Sequence, residues 1–173
     1  MMTAETVLVL CDTFEKLGVE VWLDGGWGVD ALLEIQSRDH ADLDIVIDGK
    51  DVARLRDHLE RNGCKEIKLE IARPHNFVLA DQFGSEIDIH VIERDERGDG
   101  IYGPPANGEM YPSASLTGIG SINAHHVKCI SPEWTVRFHT GYKLKDKDYG
   151  DVSAVCKKFN LELPDDYKNF KKQ

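Results

Sequence analysis

Asp24-Gly25-Gly26-Trp27 and, further along, Asp42-Leu43-Asp44-Ile45-Val46-Ile47 decide how this chain is read. A strand alternates its side chains between faces, so Asp42 and Asp44 project together while Leu43 and Ile45 turn toward a core. Two carboxylates on one face repel each other unless positive charge sits between them. A hard divalent cation such as Mg²⁺ supplies it, typically held by one or two carboxylates plus substrate phosphates. A second strand-like run, Glu86-Ile87-Asp88-Ile89-His90, brings a third acid to the same place. Asp-x-Asp also arises by chance on solvated strand faces. Here the pair leads into Ile45, Val46 and Ile47, surroundings in which unpaired charges are rarely left. The pattern points to metal-dependent phosphoryl or nucleotidyl transfer.

Composition narrows the partners. The chain has 173 residues with 21 Lys plus Arg against 31 Asp plus Glu, a formal net charge of −10. A duplex ligand needs a basic footprint, so this balance argues against nucleic-acid binding. The size suits one compact domain, or a domain with a short helical appendage. The four cysteines (Cys11, Cys64, Cys129, Cys156) form no CxxC pair, and a disulfide framework is not expected. The first residues lack a signal-peptide layout and no apolar stretch is long enough to span a membrane, so a reduced, cytoplasmic protein is expected. There is no GxxxxGK[ST] loop and no GxGxxG fingerprint, which removes the P-loop and dinucleotide-binding readings.

Periodicity and punctuation give a coarse order of elements. Residues 3 to 17 read as an amphipathic helix stopped by Gly18, then a strand from Val19 to Leu23 enters the glycine turn. A helix from Trp27 to Leu33 follows, with Trp27, Ala31 and Ile35 on one side. Next come the acidic strand (42–47), a helix from Asp51 to Arg61 closed by Asn62-Gly63, and three strands (64–69, 76–80, 86–92). Asp81-Gln82-Phe83-Gly84 reads as a hairpin turn between the last two. Residues 94–108, rich in charge, Gly and Pro, read as a loop. A short hairpin is expected from 115–120 and 127–130, then helices over 132–140 and 146–159. The Lys-rich end after Pro164 is expected to fray.

With these residues in view, the chain resembles the small antibiotic nucleotidyltransferases of the DNA polymerase beta-type nucleotidyltransferase superfamily. That pattern is a Gly-Gly or Gly-Ser turn, an acidic pair separated by one apolar residue, and a third acid on a neighbouring strand: here Gly25-Gly26, Asp42-Leu43-Asp44 and Asp88. Trp22-Leu23-Asp24-Gly25-Gly26-Trp27-Gly28-Val29-Asp30 with Arg38-Asp39-His40-Ala41-Asp42-Leu43-Asp44-Ile45 is similar to the lincosamide nucleotidyltransferases and, less closely, to the small aminoglycoside enzymes. Phe138-His139-Thr140-Gly141-Tyr142-Lys143-Leu144-Lys145, followed by Lys147-Asp148-Tyr149 and Asp151, resembles the C-terminal segment of the lincosamide group. The region from Arg94 to Gly120 departs from the pattern.

The resemblance implies an α/β nucleotidyltransferase fold, a mixed sheet flanked by helices with a small C-terminal strand and helix segment. Residues 1–95 would form the core, and 96–173 would contribute acceptor and triphosphate contacts. It implies Mg²⁺ held by Asp42, Asp44 and Asp88, and ATP or another nucleoside triphosphate as co-substrate. Asp88 is the candidate general base toward the acceptor hydroxyl. Gly25, Gly26, Arg38, His40, Lys143 and Lys145 are the candidate nucleotide contacts. By alternation Glu86 and His90 share the face of Asp88, and His90 is read as a structural residue. The Trp residues are assigned to packing, and His125-His126 to a hairpin turn rather than a zinc site. The acceptor implied is a small-molecule lincosamide, with an aminoglycoside or a non-catalytic regulatory module as alternatives, and a homodimer is expected.

Overall fold

The computed structural model describes residues 1–68 and 73–170, and the end of the third expected strand, Leu69, lies outside the described residues. Helix α1 (Ala4–Lys16) starts where Thr3 Oγ1 accepts from the Thr6 N–H, and it buries Ala4, Val7 and Phe14. Strand β1 (Val21–Leu23) delivers the chain to Asp24, which caps helix α2 (Gly25–Leu33) by accepting from the Gly25 N–H at 2.8 Å. Strand β2 (Asp42–Asp48), helix α3 (Val52–Arg61) and strand β3 (Lys65–Ile67) follow. Strands β4 (Asn76–Ala80) and β5 (Glu86–Arg94) pair antiparallel. Their turn is held by Asp81, which accepts from the N–H groups of Phe83 and Ser85.

Residues 94–108 are more ordered than their composition suggests. Asp95 accepts from the N–H groups of Arg97 and Asp99, folding the charged segment into a tight turn. The chain then returns as β6 (Gly100–Tyr102), which lies along Ile92–Arg94 and pairs with β7 (Met110–Tyr111). Strands β8 (Gly118–Ile122) and β9 (His125–Cys129) form the expected hairpin, turned by Asn123 and Ala124, both at positive φ. Helices α4 (Pro132–Phe138), α5 (Asp146–Phe159) and α6 (Asp165–Lys168) complete the chain.

Among the described residues the strands make one nine-stranded mixed sheet, in the order β3-β4-β5-β2-β1-β9-β8, with β6 and β7 extending it beside β5. β2 runs parallel to β5, β1 touches β9 in parallel, and the remaining pairs are antiparallel. Alternation along β2 sorts its residues cleanly. Leu43, Ile45 and Ile47 join Phe14, Leu23, Leu55, Leu79 and Ile89 in the larger core. Val46 faces the other way, into a smaller cluster with Trp22, Ile92, Tyr111 and Ile130. Asp42 and Asp44 lie on that second face, short of the apolar cover. Ile35, expected beside Trp27, is 66% exposed, because α2 ends in a left-handed residue at Glu34 that turns the chain outward.

The C-terminal end does not fray through its first turn. Tyr167 on α6 is fully buried against Val29, Val136, Val152 and Val155, and its hydroxyl donates to the His139 carbonyl at 2.5 Å. Lys168 pairs with Glu162 and Asp165 at the surface while the one aromatic ring anchors the segment, and the remainder of the end expected to fray, 171–173, lies outside the described residues. Tyr167→Ala should lower the unfolding free energy by about 3 kcal/mol, the usual cost of emptying a buried aromatic site. Tyr167→Phe should cost only about 1 kcal/mol for the lost hydrogen bond. Urea denaturation of the two variants measures both.

Candidate functional site

Parallel pairing of β2 with β5 sets Asp42 opposite Glu86, Asp44 opposite Asp88 and Val46 opposite His90. The third acid therefore stands directly across from the second. Donor atoms of Asp44, Asp88 and His90 all lie within 4.8 Å of one another. Asp24, at the end of the adjacent strand, adds another negative charge to the group. Burial pushes the Asp44 carboxyl up to about 7, and the charges of Asp42, Asp24 and Asp88 push the same way. Burial disfavours protonation of His90, yet Asp88, Asp24 and Asp44 outweigh it and raise its pKa above the ordinary value. A cluster of hard oxygen donors this crowded fits a divalent cation, which would satisfy the charge that protons otherwise supply.

The supports of this cluster are visible. Asn76 on β4 donates to Asp88 Oδ1 at 2.6 Å, fixing that carboxylate. Tyr111 on β7 donates its hydroxyl to Asp24 Oδ2 at 3.0 Å and lies 2.8 Å from His90 Nδ1. His90 Nε2 is 3.6 Å from Asp88 Oδ1. An edge-to-face run of rings, Tyr102, Tyr111 and Phe138, continues outward from His90.

The glycine turn is shaped by the acids. Gly25 has φ +53, and a Cβ there would stand 2.0 Å from Asp44 Oδ2. A Cβ on Gly26 would stand 2.2 Å from His40 Nδ1 and 2.8 Å from an Arg38 Nη. Glycine is thus required at both positions by the side chains packed onto the turn at the start of α2.

Gly25, Gly26, Arg38, Asp42, Asp44 and Asp88 come together, as the motif suggests. Arg38 is held bidentate by Asp151 of α5, with Nη–Oδ2 at 2.8 Å and Nε–Oδ2 at 3.2 Å. His40, the other candidate phosphate contact before the acidic strand, turns its Nδ1 edge to Gly26. Its ring is buried, lies tilted against Trp27, and bonds through Nε2 to Asp30 Oδ2 at 2.5 Å. That bond makes His40 a strut under the turn. Lys143 and Lys145 stand exposed on the approach to α5, where the Lys145 N–H donates to Asp148 Oδ2. Sequence reading undervalued His90, which faces the acids, and it missed Asp24, Asn76 and Tyr111. The alternation of β5 was the available signal for His90.

With that geometry in place, the comparisons identify the class. The chain matches the family model described as aminoglycoside-2''-adenylyltransferase over residues 6–155, and it belongs to that family of nucleotidyltransferases. It is 31% identical over 155 residues to a lincosamide resistance protein of Staphylococcus haemolyticus, covering 89% of this chain and 94% of that protein. Among solved structures it is similar to the lincomycin-bound lincosamide antibiotic adenylyltransferase LnuA, with TM-score 0.77 and 30% identity over 89% of this chain and 96% of LnuA. ANT(2'')-Ia in complex with adenylyl-2''-tobramycin shares the fold, at TM-score 0.68 and 17% identity over 91% of this chain and 90% of that one. Among the described residues no helix is long and apolar enough to cross a membrane.

Metal-free protein should carry the signature of the crowded carboxylates. Asp44 binds its proton in the folded state up to about pH 7 but releases it near its ordinary value of 3.8 when unfolded. The folded state holds the extra proton, so stability falls as pH rises between those limits. Thermal melts of wild type and Asp44→Asn in EDTA should diverge across that window, with the variant the more stable toward pH 7. Saturating divalent cation should close the gap. Parallel melting curves would show that Asp44 is not under electrostatic pressure.

Proposed function

We propose that this protein transfers AMP from ATP to a hydroxyl of a lincosamide antibiotic, releasing pyrophosphate. The observation that carries the reading is the facing of Asp44 and Asp88 across β2 and β5, beside a glycine turn. The resemblance to LnuA supports the choice of acceptor and nucleotide. The family description names aminoglycosides, but the relatives at 30–31% identity carry lincosamide names.

Asp42 and Asp44 are the ligands assigned to the Mg²⁺ that accompanies the triphosphate, with Asp88 at the same position's edge. That ion, when bound, offsets charge on the α-phosphate under attack and on the departing pyrophosphate. The Gly25-Gly26 turn, with no side chain in the way, lets the triphosphate approach the start of α2, where the Gly26 amide is assigned to a phosphate oxygen, and Arg38, aimed by Asp151, adds a fixed positive charge. Asp88, oriented by Asn76, takes the proton of the acceptor hydroxyl. The acceptor oxygen then bonds to the α-phosphorus as the bond from phosphorus to the bridging oxygen breaks, and pyrophosphate leaves with that electron pair. In the same reading residues 96–173 furnish the acceptor wall through Tyr102 and Phe138, and Lys143 and Lys145 reach the triphosphate. A homodimer and a cytoplasmic setting complete it.

Two measurements test this. Purified protein with ATP and Mg²⁺ should release pyrophosphate with lincomycin or clindamycin well above the rate with gentamicin or kanamycin. The reverse ranking moves the acceptor to the aminoglycosides, and silence with all four favours a regulatory role. Asp88→Asn should lower kcat by about 10²–10⁴-fold, the span of general-base catalysis. Calorimetric titration of Mg-ATP should change little in that variant. A large loss of nucleotide affinity would make Asp88 a metal ligand first.

A further inference from the structure

Tyr111 has a single hydroxyl proton, and it is directed to Asp24 Oδ2 at 3.0 Å. A carboxylate only accepts hydrogen bonds, so that proton is committed. Burial and the Asp24 charge raise the Tyr111 phenol well above its ordinary range and keep the proton in place. The Tyr111 oxygen is then left to accept, and the partner at 2.8 Å is His90 Nδ1. His90 must therefore donate from Nδ1, which in a neutral imidazole leaves the lone pair on Nε2. Nε2 faces the acids, 3.6 Å from Asp88 Oδ1 and within 4.8 Å of donor oxygens of both Asp44 and Asp88, a spacing that one shared cation can occupy in place of an Nε2 proton. Asn76 already donates to the same Asp88 oxygen at 2.6 Å. A ring nitrogen whose other N–H is fixed by a chain to a carboxylate is the common support of a metal-ligating histidine.

We propose that His90, through Nε2, is a direct ligand of the divalent cation assigned above to Asp42 and Asp44, reaching it from the Asp88 side of the cluster, with Tyr111 and Asp24 setting its tautomer. The proposal rests on the metal-site reading above and deepens it. One imidazole among carboxylates shifts the site toward Mn²⁺ or Co²⁺ relative to Mg²⁺, since nitrogen donors gain affinity along the first-row series.

Electron spin-echo spectroscopy of nucleotide-free protein loaded with Mn²⁺ reads the ligand directly. Wild type should show modulation from a coordinated ¹⁴N, and His90→Gln should abolish it. Calorimetry with Co²⁺ should show affinity lower by at least about tenfold in His90→Gln, and by about tenfold in Tyr111→Phe, which keeps the ring but frees Nδ1. Mn²⁺ bound without ¹⁴N modulation in wild type would overturn the His90 assignment while the carboxylate site stood. Failure of wild type to bind Mn²⁺ at all would overturn the metal-site reading and this assignment with it.

Discussion

The repulsion among Asp42, Asp44, Asp88 and Asp24 is the constraint around which the rest of the structure is arranged. Hydrophobic alternation along β2 and β5 fixes their register: Leu43, Ile45 and Ile89 must enter the larger core, so the intervening acids must share the opposite face. A slip by one residue would drive the carboxylates into the larger core and the isoleucines onto the acidic face. The apolar residues thus specify the position of the charged ones. The free energy that holds the acids in mutual repulsion comes from the packing behind them.

Everything around the cluster either limits that repulsion or aims it. Asn76 donates to Asp88, Tyr111 to Asp24, and the turn glycines leave room for the Asp44 carboxylate and the His40 ring. Arg38 supplies positive charge beside the turn, though Asp151 governs where it points. His40 and Asp30 hold each other in the floor beneath. The supports come from elements spread along the chain, so the site is a meeting of β1, β2, β4, β5, β7 and two helices rather than the property of one motif.

What could be read from the sequence was whatever depends on near neighbours in the chain. The acidic pair, the third acid and the glycine turn follow from strand alternation and turn chemistry, and the structure brings them together. α5 and the hairpin of β8 and β9 follow from apolar spacing and punctuation. Other features escaped because their cause lies far away. Tyr111 bonds His90 from 21 positions along the chain, just beyond a segment whose composition reads as loop. The order in residues 94–108 comes from Asp95 accepting from its own neighbours, which overrides the abundance of charge and glycine. His40 adjoins the acids in sequence, but its bond partner could not be read there. Its partner Asp30 lies ten positions earlier on α2 and draws the ring inward. The terminal turn looked frayed because its lysines outnumber the one tyrosine that anchors it.

The pairing of Arg38 with Asp151 joins positions 113 apart. A chain emerging from the ribosome can complete β2, β4 and β5, and so assemble the acids, long before Asp151 has been made. In that interval the guanidinium lacks the helix that holds it beside Asp42. Long-range closures of this kind come late in folding because the loop they close is large. Competence therefore arrives with the last quarter of the chain, and a nascent or truncated product ending before α5 would display the motif without the arrangement that makes it useful.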